Sequence, residues 1–261
     1  MIVGVSTASL YPLHIEDAFA KLAEMGIKTA EVFANSTCEA REPFISQICG
    51  IRDKNAMRIP SFHPFSSPME SVFLFSTYDR RIEEMLTLYR EFFGAMNRLG
   101  AKIFVVHGAI LSSKCTAEHY LKQFRLLSEA GREFGVTVAQ ENVSYCLSGS
   151  LDFLKLMKRE LGDYAKFVLD LKQARRSKAD PLEYIDALGT SIVHCHLSDA
   201  NSDFDCLPIG KGFFDFDTLI KKLRVIGYNG ALIVELYRDN YGEFTELRES
   251  VDVLAEIIEN V

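Results

Sequence analysis

The apolar positions of this chain fall into two alternating rhythms. Short runs rich in β-branched and aromatic residues alternate with longer stretches whose apolar residues recur three and four positions apart. The junction between them repeats. A helical stretch closes on glycine and an apolar run follows at once, as in LAEMG-IKTAEVF (22–33), MNRLG-AKIFVVHG (96–108), REFG-VTVAQEN (132–142) and VIGYNG-ALIVELY (225–237). Glycine accepts the left-handed conformation that closes a helix. A strand without polar alternation is buried on both faces, as parallel strands are. Repeated strand–helix order therefore implies parallel βαβ units. The pattern predicts strands at roughly 2–6, 28–33, 58–63, 102–107, 136–141, 166–170, 191–197 and 231–236. It predicts helices over 14–25, 79–99, 117–134, 151–161, 216–226 and 243–261. Eight such units close a single (β/α)8 TIM barrel, and 261 residues suit one domain of that kind. One connection is unusual. Pro64 to Thr77, PFSSPMESVFLFST, is long and apolar, and reads either as a lid over the barrel mouth or as a packed surface loop.

Composition narrows the class. Hydrophobic residues make up 48% and charged residues 25%, the balance of a soluble globular protein. No apolar run reaches the roughly 18 residues of a membrane span. The start, MIVGVSTASLYP, lacks the charged and apolar regions of a signal peptide. A cytoplasmic location without a membrane partner is the expectation. The net charge of −7 argues against a nucleic-acid partner, since such binders usually carry a basic surplus. The cysteines (Cys38, Cys49, Cys115, Cys146, Cys195 and Cys206) form no CxxC pair and read as reduced, mostly buried thiols.

The candidate chemistry lies at the strand ends. Strand two carries Glu31, and strands three to eight end at or beside His63, His107, Glu141, Asp170, His196 and Glu235. In a barrel these ends converge on one mouth, where such enzymes place their chemistry. Any one of these residues alone reads as a capping group or a satisfied core residue. Together they do not, because burying several carboxylates is costly unless a cation neutralises them. Glu141, Asp170, His196 and Glu235 come from consecutive strands and would face one another. Three carboxylates and an imidazole suit one hard divalent ion, Mn²⁺, Mg²⁺ or Co²⁺, and also accommodate Zn²⁺; a metal-free polar network is the alternative. Strand parity puts His194 on the same face as His196, one layer deeper, and turns Cys195 towards the helices. Lys172, Arg175, Arg176, Lys211 and Arg238 follow strands six to eight. They either bind an anionic substrate group or pair with local acids.

Over nearly its whole length the chain resembles the xylose isomerase-like barrel superfamily, which includes sugar phosphate isomerase/epimerases, ketose 3-epimerases, inosose-processing enzymes and endonuclease IV. The resemblance is carried by FVVHG (104–108), AQENV (139–143), FVLDLKQA (167–174), IVHCHLSDAN (192–201), LPIGKGFFDFDTLIKKLRVIGYNG (207–230) and LIVELYR (232–238), in that order. It implies a single metal held by Glu141, Asp170, His196 and Glu235, with Glu141 and Glu235 doubling as acid–base groups. It implies a carbohydrate substrate, and it admits a homodimer or homotetramer. His63 and His107 match positions where endonuclease IV holds further zinc. The family's strand-six Asp-x-x-His appears here as Asp170-Leu-Lys-Gln173, and the Asp-x-His that endonuclease IV carries before its Gly-x-Gly turn appears as Phe204 and Cys206. The ligand set of a trinuclear zinc cluster is thus incomplete. The expected activity is metal-dependent isomerisation or epimerisation of a sugar or sugar phosphate, by proton abstraction next to a carbonyl through an enediolate. His63, His107, Glu31, Lys172, Gln173, Lys211 and Arg238 are the candidate substrate contacts; Glu31 reads equally as a residue behind the metal or a structural hydrogen bond. A dehydratase or lyase acting on an inosose or keto-sugar, an endonuclease IV-like phosphodiesterase, and a non-catalytic sugar-binding barrel are the alternatives.

Overall fold

The computed structural model describes residues 1–65 and 67–261. Eight parallel strands close in sequence order into one barrel. They are β1 (Ile2–Ser6), β2 (Ala30–Ala34), β3 (Ser61–Pro64), β4 (Ile103–Val106), β5 (Thr137–Glu141), β6 (Phe167–Asp170), β7 (Ile192–Leu197) and β8 (Ala231–Val234). The surrounding helices are α1 (Ile15–Glu24), α2 (Phe44–Asn55), α3 (Ser67–Val72), α4 (Asp79–Leu99), α5 (Ala117–Glu133), α6 (Leu151–Leu161), α7 (Leu171–Arg176), α8 (Pro181–Leu188), α9 (Phe216–Val225) and α10 (Thr245–Asn260). The molecule is a single (β/α)8 TIM barrel, as the pattern predicts.

Local chemistry sets the helix ends. The side chains of Thr116, Ser150, Asp180 and Asp215 accept backbone N–H groups at the starts of α5, α6, α8 and α9. Gly100 closes α4 at a φ of 78°. Besides α3, which lies within the Pro64–Thr77 connection, three helices escape the sequence pattern. In α2 only Ile45 and Ile48 are buried, so it lacks a clear apolar stripe. The other two, α7 and α8, are six and eight residues long, too short to register a period.

Parity organises the interior. The large apolar core lies between strands and helices and includes Phe62, Phe104, Phe167, Cys195 and Leu232. Two positions below His107, Glu141 and Asp170 stand Val105, Ala139 and Val168, which pack together as a separate small cluster. The corresponding positions below His63 and His196 are Ser61 and His194, both fully buried. The floor beneath the mouth is therefore apolar under β4–β6 and polar under β3 and β7.

The Pro64–Thr77 connection is packed. Leu74 and Phe75 are buried, and the Phe75 ring stacks on Tyr120 at 4.1 Å. Buried Glu70 accepts hydrogen bonds from Gly108 N and the Tyr89 hydroxyl. Ser71 Oγ accepts Ile110 N at 2.8 Å. These bonds clamp the connection to the end of β4, so the described part of it takes the packed rather than the lid form; Ser66 lies outside the described residues. Gly108 itself sits at a φ of 94°, and a Cβ there would collide with the Tyr120 hydroxyl.

Candidate metal and acid–base site

The strand ends bring the predicted residues into one continuous network. Glu141 is its hub. Its Oε2 lies 2.9 Å from His107 Nε2 and 3.6 Å from His63 Nε2, and its Oε1 lies 3.3 Å from His196 Nδ1. His196 Nδ1 also faces Glu235 Oε2 at 3.7 Å and Asp170 Oδ2 at 3.9 Å. One ligand atom from each of Glu141, Asp170, His196 and Glu235 lies within 4.8 Å of the others. The same holds for His63, His107 and Glu141, and for Glu31, His194 and His196.

The backbone holds these groups firmly. Asp170 caps α7, its Oδ1 accepting Gln173 N at 2.8 Å. Asn142 braces the same residue, donating from Nδ2 to Asp170 O at 3.0 Å and accepting Asp170 N at 2.7 Å. Gln140, pointing outward beside Glu141, donates from Nε2 to the carbonyls of Val106, His107 and Glu141. Glu235 follows β8, and its N–H bonds Leu197 O at 3.1 Å.

Glu31 is differently placed. Its Oε1 accepts Ser6 Oγ at 3.0 Å, while Oε2 accepts Ser61 Oγ at 2.8 Å and the Nε2 atoms of both His194 and His196 at 3.1 Å. A carboxylate only accepts, so both imidazoles carry hydrogen on Nε2. When His196 gives up its Nδ1 proton, the freed lone pair faces the three carboxylates. That is the orientation a metal ligand requires.

The electrostatics follow from burial against charge. Burial alone would raise the Glu31 and Glu141 carboxyls, yet the facing histidines hold both well below the usual range. Glu235 is likewise lowered, because Lys172 and His196 outweigh its desolvation. Asp170 bears the residual strain. Its burial, assisted by Glu141 and Glu235 and opposed by Lys172, pushes it up to about 6. Burial disfavours cationic His107 and His196, but the carboxylates around them raise both above the ordinary histidine value. His194 is lowered by burial despite Glu31.

Two buried carboxylate oxygens, Asp170 Oδ2 and Glu141 Oε2, accept no aligned hydrogen bond. Crowded carboxylates with free lone pairs beside an imidazole nitrogen fit a hard divalent cation.

The remaining candidate residues scatter. Lys172 is buried, its ammonium 3.1 Å from Glu235 Oε2 and 3.4 Å from Asp170 Oδ2. Gln173 turns away, its Oε1 accepting Ser144 N and Oγ at 3.1 and 2.9 Å. Arg175 donates to Ser198 and to the Asp205 carbonyl, and Arg176 pairs with the Asp205 carboxylate. Lys211 is exposed on the loop after β7. Arg238 donates to the carbonyls of Tyr241 and Gly242. Its side chain also lines a cavity of about 520 Å³ with Ala8, Tyr11, Phe33, Asn35 and Tyr237. That cavity adjoins the network, because the Phe33 ring lies 4.6 Å from the His63 ring. Sequence reasoning passed over Ser6, Ser61, Glu70 and Asn142. Asn142 had a signal, its position directly after Glu141. Ser6 had one as the last residue of β1, and Ser61 as the position two before His63 on the same face, whereas Glu70 arrives only through packing.

The xylose isomerase-like TIM barrel family matches residues 19–257. An uncharacterised protein of Methanocaldococcus jannaschii is 24% identical over 251 residues, covering 90% of this chain and 83% of the relative. Among solved structures, a D-tagatose 3-epimerase-like protein superposes with a TM-score of 0.83 at 21% identity, over 100% of this chain and 98% of that one. A D-psicose 3-epimerase, solved in the presence of D-fructose, superposes at 0.82 with 14% identity, over 99% of both chains. At such identities the structural likeness speaks for the fold.

Proposed function

This chain belongs to the xylose isomerase-like TIM barrel family, and from that premise and the chemistry of its mouth we propose that it is a divalent-metal-dependent sugar isomerase or epimerase. The observation that carries the reading is a pair of ionised glutamates flanking one imidazole nitrogen, with His196 Nδ1 3.3 Å from Glu141 and 3.7 Å from Glu235. Two bases so placed suit a reaction that removes a proton from carbon and returns one elsewhere. Glu141, Asp170, His196 and Glu235 would hold the ion, which when bound supplies Lewis-acid polarisation of a carbonyl and its neighbouring hydroxyl.

The chain's own groups do the rest. One of Glu141 and Glu235 takes the proton from the carbon beside the carbonyl, and the C–H electron pair moves into the enediolate. The other, having first taken up a proton from water, returns it to the opposite face in an epimerisation or to the neighbouring carbon in an isomerisation. His107 donates a hydrogen bond to the oxygen that gains charge. The Tyr11, Phe33 and Tyr237 side chains offer apolar surface to the C–H faces of a sugar, and Asn35 and Arg238 offer polar groups to its hydroxyls.

The test is a panel of ketoses, ketose phosphates and inososes incubated in D₂O with Mn²⁺ and read by NMR. Deuterium uptake at the carbon beside the carbonyl is expected. No exchange with any member, on protein shown to carry the ion, overturns the proposal. One observation favours a phosphodiesterase as the second reading: His63, His107 and Glu141 form an adjacent donor set that shares Glu141 with the first. Two ions per chain by elemental analysis would support it, and one ion supports the isomerase.

A further inference from the structure

Lys172 stands out as the cation of the site. Lysine is rarely buried unless paired, and this side chain is 4% exposed at the rim of a carboxylate cluster. Its ammonium contacts Glu235 Oε2 and Asp170 Oδ2, at 3.1 and 3.4 Å. These are the same two oxygens that face His196 Nδ1, at 3.7 and 3.9 Å. An ion taking His196 Nδ1 together with those oxygens would find the ammonium already on them. The position follows from the fold. Asp170 ends β6 and caps α7, so the first turn of α7 carries Lys172 back over the end of β8. On its other side the ammonium lies 4.7 Å from the centre of the Tyr237 ring, and Tyr237 lines the cavity beside the mouth.

We infer that Lys172 is a resident cation that competes with the divalent ion for Asp170 and Glu235. Without the ion, the ammonium neutralises two of the crowded carboxylates and lets the metal-free barrel stay folded. When the ion binds, like charges so close repel, and the ammonium gives up both carboxylates. Its way out runs past Tyr237 into the cavity, where it would meet substrate oxygens. The site therefore binds its ion weakly and exchanges it readily. This inference rests on the metal reading of Glu141, Asp170, His196 and Glu235, and the experiment separates the two.

Mn²⁺ affinity is measured by calorimetry at pH 8 on the wild type and on Lys172→Met and Lys172→Gln. Each neutral variant is expected to bind Mn²⁺ at least tenfold more tightly than the wild type. Each should also show a larger rise in melting temperature on adding the ion. A variant that folds only when Mn²⁺ is present supports the inference as well. Equal affinity in the wild type and a folded neutral variant overturns it while leaving the metal site intact. No binding in any of the three proteins overturns both. The wild type gives a further readout that needs no variant. Reductive methylation, mapped by mass spectrometry, should spare Lys172 in the metal-free protein and label it once Mn²⁺ is bound. A Lys172 equally protected in both states overturns the displacement.

Discussion

Two carboxylates at the same mouth are treated in opposite ways. On the β1–β3 side, Glu31 has both oxygens engaged, by Ser6, Ser61, His194 and His196. On the β5–β8 side, Asp170 has one oxygen engaged by the backbone of α7, while the other accepts no hydrogen bond and faces the Lys172 ammonium at 3.4 Å. A buried acceptor that is fully bonded stabilises and orients its neighbours. One left open costs free energy in the resting protein, and a ligand can recover that cost. Under the proposed function, the β1–β3 half would serve as support and the β5–β8 half would carry the chemistry. The floor beneath follows a different division, being polar under β3 and β7 and apolar under β4–β6.

The largest effect should come from the glutamates of the open half. Glu141→Gln or Glu235→Gln should lower turnover by about 10²–10⁴-fold in protein that still folds. Near-normal turnover in either variant would remove that residue from the acid–base pair. Chelation should remove activity and Mn²⁺ restore it. Full activity in chelator, with the ion shown absent by elemental analysis, would undo the division between the halves.

Glu31→Gln should behave in the opposite sense. A glutamine presents one acceptor oxygen and a donor NH₂ group to four donors, so a loss of stability of ~3 kcal/mol in urea unfolding is expected. Turnover per folded molecule should fall far less than in Glu141→Gln. A Glu31→Gln protein of wild-type stability but without turnover would break the distinction.

Asp170 sharpens it through pH. Its carboxyl is raised to about 6 in the folded metal-free protein, above the usual 3.8. The stability tied to that raised value is fully present below about pH 4 and is lost as pH rises through about 6. Asp170→Asn keeps a side chain able to cap α7 and removes the titration. In metal-free protein, the stability of Asp170→Asn relative to wild type should therefore rise between pH 4 and 7, by on the order of 2–3 kcal/mol. A flat difference across that range would mean that Asp170 is not strained. The smallest effect belongs to the cavity wall. Phe33→Ala should raise KM several-fold, with kcat less affected, because it removes apolar surface without touching the acid–base groups.

Much of this was readable before any coordinates. The eight strands and the faces of β7 follow from apolar rhythm and parity, which are local properties of the chain. The weak points were local too. The α2 helix lacks a stripe, α7 and α8 are too short for a period, and the Pro64–Thr77 segment looked as much like a lid as like the packed clamp it forms through Glu70, Leu74 and Phe75. Among the described residues, no helix is long and apolar enough to cross a membrane.

Alternation along a strand settles which side chains point inward, and strand order settles which ends are neighbours. The sequence could therefore name Glu141, Asp170, His196 and Glu235 as a group. It could not say which of their lone pairs would be satisfied. That depends on atoms far apart in the chain: Ser6 and Ser61 reach Glu31, and Lys172 meets Glu235 across 63 positions. Hydrogen-bond and ion-pair geometry at a few ångströms is set by closure of the barrel. Only the tertiary structure could show Gln173 turned towards Ser144 and Lys172 lying on the carboxylates.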